Sequence, residues 1–428
     1  MTPRRRFWHI AGAGTAFQAG SAAVDSATVM SALIFQLTGS AVAVGAVSTI
    51  LRLGWLLPQL VVGYLAGGKK SSMGFYVVGA FGRTAAITFL AAVLWFGSTA
   101  GWSYAALGGA TLALWTAYAF LSGIVGVPYN DIVARSVPSE RRSRLLAIRF
   151  FGGGLVALVV AALADRLVRT LDFPVSFAAI LGVAALLMLI SSVVFTAMGE
   201  PRRTATPKTA DSFADYLRDG VSTFRADPMF RRFVFAQWCG GTVLVAAPFF
   251  IVASQILGVG LENVALLLGV QTAGALAANP LWGWWGDARG KLSLMRLIAI
   301  GRAVPPVVLL VLLFAPAQPE STLPILLAVF FCLGALSNGL TIAVIGLLME
   351  ISPDDRRPSY SGFFNALTAP AFVFPLVGGF AVAAMGVWIV FAIAFACAIA
   401  QAAFLFRFDS AGQGAKSRPS TSRRGRGQ

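Results

Sequence analysis

Gly283-Trp284-Trp285-Gly286-Asp287-Ala288-Arg289-Gly290-Lys291 is a short polar interruption between two long apolar runs. The run before it covers about 262–286 and the run after it about 292–316, each longer than the roughly 20 residues that a membrane-spanning helix needs. Its small residues let the chain turn tightly, and Asp287, Arg289 and Lys291 put charge where the chain leaves the apolar run. Outward from this stretch, in both directions, the same alternation of apolar run and basic connection continues.

Twelve such runs, spans 1 to 12, are read at about 9–37, 41–66, 73–97, 102–128, 146–164, 174–198, 232–257, 262–286, 292–316, 322–349, 360–384 and 386–408. The last two are divided only around Gly386. The runs are far longer than the ~10-residue alternating strands of a membrane barrel. Backbone polar groups in hydrocarbon must be satisfied within the segment, so the runs are read as helices. Composition agrees: 57% of residues are hydrophobic and 12% charged, against roughly a quarter charged in soluble domains. The 45 glycines suit membrane helices, where small residues let backbones approach.

The net charge of +16 raises nucleic-acid binding as a function, but its distribution is that of membrane topology. With an even number of spans both termini share a side. Nearly all of the 33 Lys and Arg residues fall on that side, which the positive-inside rule makes the cytoplasm. The opposite connections hold only Arg166 and Arg169. The predicted location is therefore a bacterial-type inner or plasma membrane, with both termini cytoplasmic. Arg4, Arg5 and Arg6 precede a first run that is read as a retained anchor. Cys239, Cys332 and Cys397 sit alone in apolar runs, without metal or disulfide spacing. His9 is the only histidine, which excludes a multi-histidine metal site. No cofactor is implied.

The longest polar stretch follows span 6. It divides the chain into a six-helix bundle at 1–199, a linker at 200–231, a second bundle at 232–408 and a basic tail at 409–428. In the linker, Phe213, Tyr216, Leu217, Val221 and Phe224 recur at helical spacing behind Ser212. They predict a short amphipathic helix, lying on the membrane surface or packed on the bundle. The halves repeat weakly. Gly82-Arg83 matches Gly301-Arg302, Leu121-Ser122-Gly123 matches Leu336-Ser337-Asn338, and Pro138 with Arg141-Arg142 matches Pro353 with Arg356-Arg357.

The stretch quoted first has Gly283, then Asp287 four residues on, then Arg289-Gly290-Lys291, at the eighth boundary of twelve spans. It resembles the signature loop of the major facilitator superfamily. The resemblance implies an all-α integral membrane fold of twelve transmembrane helices in two pseudo-symmetric six-helix bundles. It also implies a gate in which Asp287 faces a helix N-terminus, with Arg289, Lys291, Glu350 and Arg356 completing a charge network. The first-half copy, Gly63-Tyr64-Leu65-Ala66-Gly67-Gly68-Lys69-Lys70, carries Gly67 where the family has Asp. Asp131 and Arg135 still resemble the supporting charges, so a one-sided latch is expected. Span 5 has Gly152, Gly153 and Gly154 without the following proline associated with antiporters in that family. Pro370 and Pro375 are expected to kink span 11.

Ionisable residues inside spans are functional candidates, because hydrocarbon penalises them by ~2.5–3.5 kcal/mol on insertion scales. Asp25 stands in the middle of span 1, which by resemblance lines the central cavity. It is read as a coupling or substrate carboxylate, or as half of a structural pair with Arg52 of span 2. Arg52 is alternatively a substrate contact. Arg83 and Arg302 occupy matching places and are read as scaffold, since duplication fits a scaffold better than an asymmetric site. Gln18, Gln36, Gln237, Gln255, Gln271, Asn338 and Asn365 supply uncharged polar groups; Gln36, Gln271, Asn338 and Asn365 are the substrate candidates. Trp115, Phe249, Phe250 and Phe364 wall an apolar site or pack the core.

The function read from all this is secondary transport of a small solute by alternating access, driven by a proton or solute gradient. The alternative is a transporter-shaped receptor, assembly factor or scaffold. An enzyme is not indicated, because no paired midplane carboxylates or nucleotide loop are seen. The partners implied are a small-molecule substrate and the lipid bilayer, with no nucleic acid, and the chain is expected to work as a monomer.

Overall fold

The computed structural model describes residues 3–67, 71–137, 139–201, 218, 221–222, 224–315, 318–351, 364 and 367–407. Among them every regular element is a helix. Ten helices are long and apolar enough to cross a membrane, and two shorter apolar segments, Val29–Thr38 and Ala369–Met385, belong to spans 1 and 11. The all-α reading therefore holds. The tail at 409–428 and most of the linker, including Ser212, Phe213, Tyr216 and Leu217, lie outside the described residues.

Four spans that look continuous by hydropathy are broken. Span 1 is Pro3–Ala23 followed, after a turn, by Val29–Thr38. Span 7 runs Pro228–Thr242, a 3-10 turn at Val243–Ala246, then Phe249–Ile256 behind Pro248. Span 9 divides into Lys291–Gly301 and Val304–Phe314. There the Pro305-Pro306 pair removes two N–H donors and is accommodated in the first turn of a new helix. Span 11 has a 3-10 turn, Ala369–Val373, before Phe374–Met385, the bend expected from Pro370 and Pro375. The division at Gly386 stands: this residue has φ +91° and caps the helix that Trp388–Phe406 follows.

Within the first bundle, span 1 packs on spans 5 and 6, and span 4 on spans 2 and 3; in the second, span 10 packs on spans 8 and 9, and span 12 on spans 7 and 9. The bundles meet along span 2 with span 11 and span 5 with span 8. Each thus presents its second and fifth members to the other, the crosswise contact of an internal repeat.

These contacts gather toward the end opposite the one where span 1 begins, here the far end. Gln36 Nε2 donates to Gln255 Oε1 at 3.1 Å. The Leu376 N–H donates to Thr49 Oγ1 at 3.1 Å. Gly379 lies so close to span 2 that a Cβ there would stand 2.6 Å from the Ala41 carbonyl oxygen. The apolar core divides the same way. One cluster joins both bundles, with Met30, Leu33, Leu90 and Leu181 packed in one body with Phe249, Phe330 and Phe391. Toward the near end the core separates into one cluster per bundle, around Ile10, Tyr76 and Phe195 in the first and Phe233, Trp282 and Met295 in the second. The bundles are therefore welded at the far end and apart at the near end.

Candidate functional site

Span 1 is interrupted at its only carboxylate. In Ala23-Val24-Asp25-Ser26-Ala27-Thr28, short polar side chains compete with the helix for backbone groups. Asp25 Oδ1 accepts from the Ala27 N–H at 3.0 Å, the Thr28 N–H at 2.9 Å and Thr28 Oγ1 at 2.8 Å. These bonds satisfy donors in the turn immediately before the helix Val29–Thr38, whose dipole favours a negative charge there. Asp25 Oδ2 has no hydrogen bond among the described residues, and the residue borders three cavities of about 550, 400 and 250 Å³. One carboxylate oxygen thus holds the chain and the other faces open space.

The second cavity lies between the bundles, bordered by Asp25, Ser48 and Arg52 on one side and by Gln271, Arg302 and Ser337 on the other. The smallest joins Asp25 and Gln18 to Gln271 and Asn338. Arg52 borders the same two larger cavities as Asp25 without forming a salt bridge to it. Its guanidinium lies 5.5 Å from the Phe372 ring of span 11. Asp25, Arg52, Gln271 and Asn338 are therefore brought together. Gln36 is not among them, because its amide belongs to the far-end closure. Asn365 lies outside the described residues. Of the aromatic candidates, Trp115 borders the largest of these three cavities and Phe250 the second, whereas Phe364 stacks on Phe233 at 5.0 Å in the second bundle's core.

The repeated arginines differ. Arg302 is held as scaffold is: Nη1 donates to Gln401 Oε1 at 3.3 Å and Nη2 to the Gly240 carbonyl at 3.0 Å. Arg83 stacks 4.1 Å over the Phe17 ring and borders the largest of the three cavities at Asp25. Sequence reasoning assigned both to scaffold because they repeat, and the pattern of the sequence carries no signal that separates them.

At the near end, the loop quoted first is a tight turn. The helix Val264–Ala288 ends as the Arg289 N–H reaches the Trp285 carbonyl at 2.9 Å. Gly290 then takes φ +84°, a left-handed conformation that favours glycine. Arg289 stacks 4.4 Å over Trp285, and Lys291 lies over Gly286 and Gly346. Gly283 has open space around it. Asp287 and Glu350 belong to the helices Val264–Ala288 and Pro319–Ile351; their side chains, and Arg356 altogether, lie outside the described residues.

The first bundle holds, at the start of the helix Met73–Thr99, an acid that sequence reasoning passed over. Glu200, just after span 6, caps the helix Met73–Thr99. It accepts from Ser71 Oγ at 2.5 Å and from the Ser72 and Met73 N–H groups at 3.0 Å each. Arg135 Nη2 donates to Glu200 Oε1 and, at 2.7 Å, to Asp131 Oδ2. Ser72 Oγ donates to Asp131 at 2.6 Å, and Arg135 Nη1 donates to the Pro201 carbonyl at 2.6 Å. Burial alone would raise the Glu200 carboxyl, but the hydrogen bonds from Ser71, Ser72, Arg135 and Met73 overcome it and hold the carboxyl below its ordinary range. Burial likewise works against the Arg135 charge, and Glu200 and Asp131 outweigh it. The available signal was an acid directly after a span end, in Gly199-Glu200-Pro201, facing a loop that lacks one.

Residues 245–426 match the family model described as Major Facilitator Superfamily. The whole fold recurs in solved transporter structures. A variant of the nucleoside transporter NupG superposes with TM-score 0.72 at 12% identity, over 94% of this chain and 99% of that one. A D-xylose-proton symporter gives 0.68 at 15% identity, over 94% and 97%. A bacterial homologue of the iron transporter ferroportin, in an inward-facing state, gives 0.67 at 14%, over 96% and 100%. No curated protein sequence matches the chain. The resemblance to the major facilitator superfamily, read from the loop at Asp287, is borne out.

Proposed function

With the major facilitator superfamily matched in its second half and a transporter fold throughout, we propose that this chain is a secondary active transporter. It moves a small solute by rocking its two bundles around a site at Asp25, driven by a proton or solute gradient. The carrying observation is the asymmetry of the packing. The bundles share one core at the far end and have separate cores at the near end, while Asp25 borders the cavities between them. An alternating-access cycle requires such a state and its mirror image.

The bundles are assigned to 1–199 and 232–408, with 200–231 linking them. By the positive-inside rule the near end faces the cytoplasm of an inner or plasma membrane, so the described state is open inward. Asp25 is the coupling or substrate carboxylate, with Arg52, Gln271 and Asn338 as its companions. Gln36 serves the outer closure. Gly283, Asp287, Arg289, Gly290 and Lys291, with Glu350 and Arg356, form the inner gate of the second bundle. Asp131, Arg135 and Glu200 form its counterpart in the first, which replaces the one-sided latch expected from Gly67. Gradient-driven uptake or efflux in proteoliposomes tests the reading. Asp25→Asn keeps the Oδ1 acceptor and is expected to fold, yet to abolish coupled transport. Undiminished gradient-driven transport by that variant removes Asp25 from the mechanism. A pattern of labelling at introduced cysteines that never changes with ligand favours a scaffold instead.

A further inference from the structure

We propose that the largest of the three cavities at Asp25 takes a planar aromatic solute bearing a carboxylate. The proposal rests on the transport reading, since it names the solute class for a cavity that adjoins the proposed site at Asp25. This cavity, of about 550 Å³, lies inside the first bundle, its lining drawn wholly from residues between Ala13 and Phe195. Trp115, Tyr118, Ser122, Gly126 and Tyr129 recur at helical spacing, so one face of span 4 walls it. At 1.5 Å per residue that wall is about 21 Å long. Its surfaces are flat: Trp115 and Tyr118 stack with ring centroids 4.9 Å apart, and Tyr76 stacks on Phe195 at 4.2 Å. Such walls favour a ring laid parallel to them.

The charges around it are unbalanced. Arg52, Arg83 and Arg149 all border the cavity, against the single carboxylate of Asp25, which already spends Oδ1 on the helix start. Arg83 decides the matter. It is 3% exposed, its Nε is buried without a hydrogen-bond partner, and its guanidinium lies against the Phe17 face. Arg149 donates Nη1 to Tyr129 Oη at 3.1 Å, leaves Nε without a partner, and lies 5.9 Å from the same Phe17 ring. The buried Arg83 and the half-buried Arg149 flank one ring and repel each other, and Arg83 has no acceptor among the described residues, an arrangement that is costly until an anion enters. A guanidinium fork matches a carboxylate. The repeat supplies the contrast, because Arg302 in the second bundle has the acceptors that Arg83 lacks.

The test uses the purified full chain in detergent. Benzoate and indole-3-acetate, their amides benzamide and indole-3-acetamide, and the amines benzylamine and tryptamine are compared by titration calorimetry and by the melting midpoint. The carboxylates are expected to bind about tenfold or more tighter than their amides, and the amines to leave the midpoint unchanged. Arg83→Gln is expected to bring the carboxylate-to-amide ratio near one, and Arg83→Lys to keep part of the preference. Should Arg83→Gln fail to fold, the wild-type series decides alone. Equal binding of acid and amide, tighter binding of the amines, no binding of either acid, or an undiminished preference in a folded Arg83→Gln overturns the proposal. Acid binding without gradient-driven uptake would leave the anion pocket standing and remove the transport reading; gradient-driven uptake of an amine, with no acid bound, would do the reverse.

Discussion

Replacing Glu200 by Gln tests the near-end cluster with almost no change of shape. In the wild type Oε2 accepts from Ser71 and Met73, and Oε1 from Ser72 and Arg135. In Glu200→Gln one of these oxygens becomes an NH₂ group that faces two donors, whichever way the amide is turned. At least one hydrogen bond is lost, because the Ser71 hydroxyl can turn to accept from the amide whereas the backbone N–H groups and Arg135 cannot, and the rest lose their charge assistance. Hydrogen bonds to a charged group contribute about 1.5–3 kcal/mol and neutral ones about 0.5–1.5. Allowing for partial replacement by water, and for the Asp131 and Pro201 contacts that Arg135 keeps, the expected loss is about 2 kcal/mol at neutral pH. The pH dependence gives an independent reading. The Glu200 carboxyl is held below its ordinary value of 4.5. Its stabilisation is therefore fully present above that value and is lost as pH falls through the lower folded-state value. Melting followed by tryptophan fluorescence should show Glu200→Gln a few degrees below wild type at pH 7. The two should converge as pH drops below about 4.5. A variant that melts with the wild type at pH 7, or that keeps its deficit unchanged into acid, refutes the assignment of Glu200 as the cap.

Two further substitutions separate holding from working. Asp25→Ala removes the Oδ1 acceptor and is expected to cost about 1–2 kcal/mol in denaturant unfolding, whereas Asp25→Asn, which keeps the acceptor, costs distinctly less; equal costs would mean that Oδ1 does not secure the helix start. Arg302→Met strands Gln401 Oε1 and the Gly240 carbonyl and is expected to destabilise by about 2–4 kcal/mol, clearly more than Arg83→Met, which strands no acceptor; the same unfolding measurement decides, and the reverse order would return Arg83 to the scaffold.

The number and kind of spans are legible because hydropathy is a bulk property of twenty-odd residues, and the connections alternate in charge with it. The breaks in spans 1, 7, 9 and 11 are less so. A broken span and a straight one have the same mean hydropathy, and only Pro248, Pro305-Pro306, and Pro370 with Pro375 mark three of the four sites in advance. Asp25 is conspicuous as a lone acid in an apolar run, but its split use of two oxygens depends on where Ala27 and Thr28 turn their N–H groups. Arg83 and Arg302 show the limit most clearly. Repetition places them at the same depth, and the acceptors that separate them, Gln401 and Gly240, come from spans 12 and 7, far along the chain. Glu200 was missed for a related reason: a polar residue at a span end reads as linker until the helix it caps, more than a hundred residues earlier in the chain, is seen beside it.

The divided carboxylate of Asp25 also fixes where a proton can land. Protonation at Oδ1 would disturb three hydrogen bonds, whereas Oδ2 has none to lose, so Oδ2 is the favoured seat. That oxygen borders the cavities where the solute is proposed to rest. On the proposed reading ion and cargo meet in one atom's neighbourhood, where an anion and a proton attract each other, and no chain of intermediate side chains is needed to carry news from one to the other. On that reading a single oxygen would tie one proton to one anion.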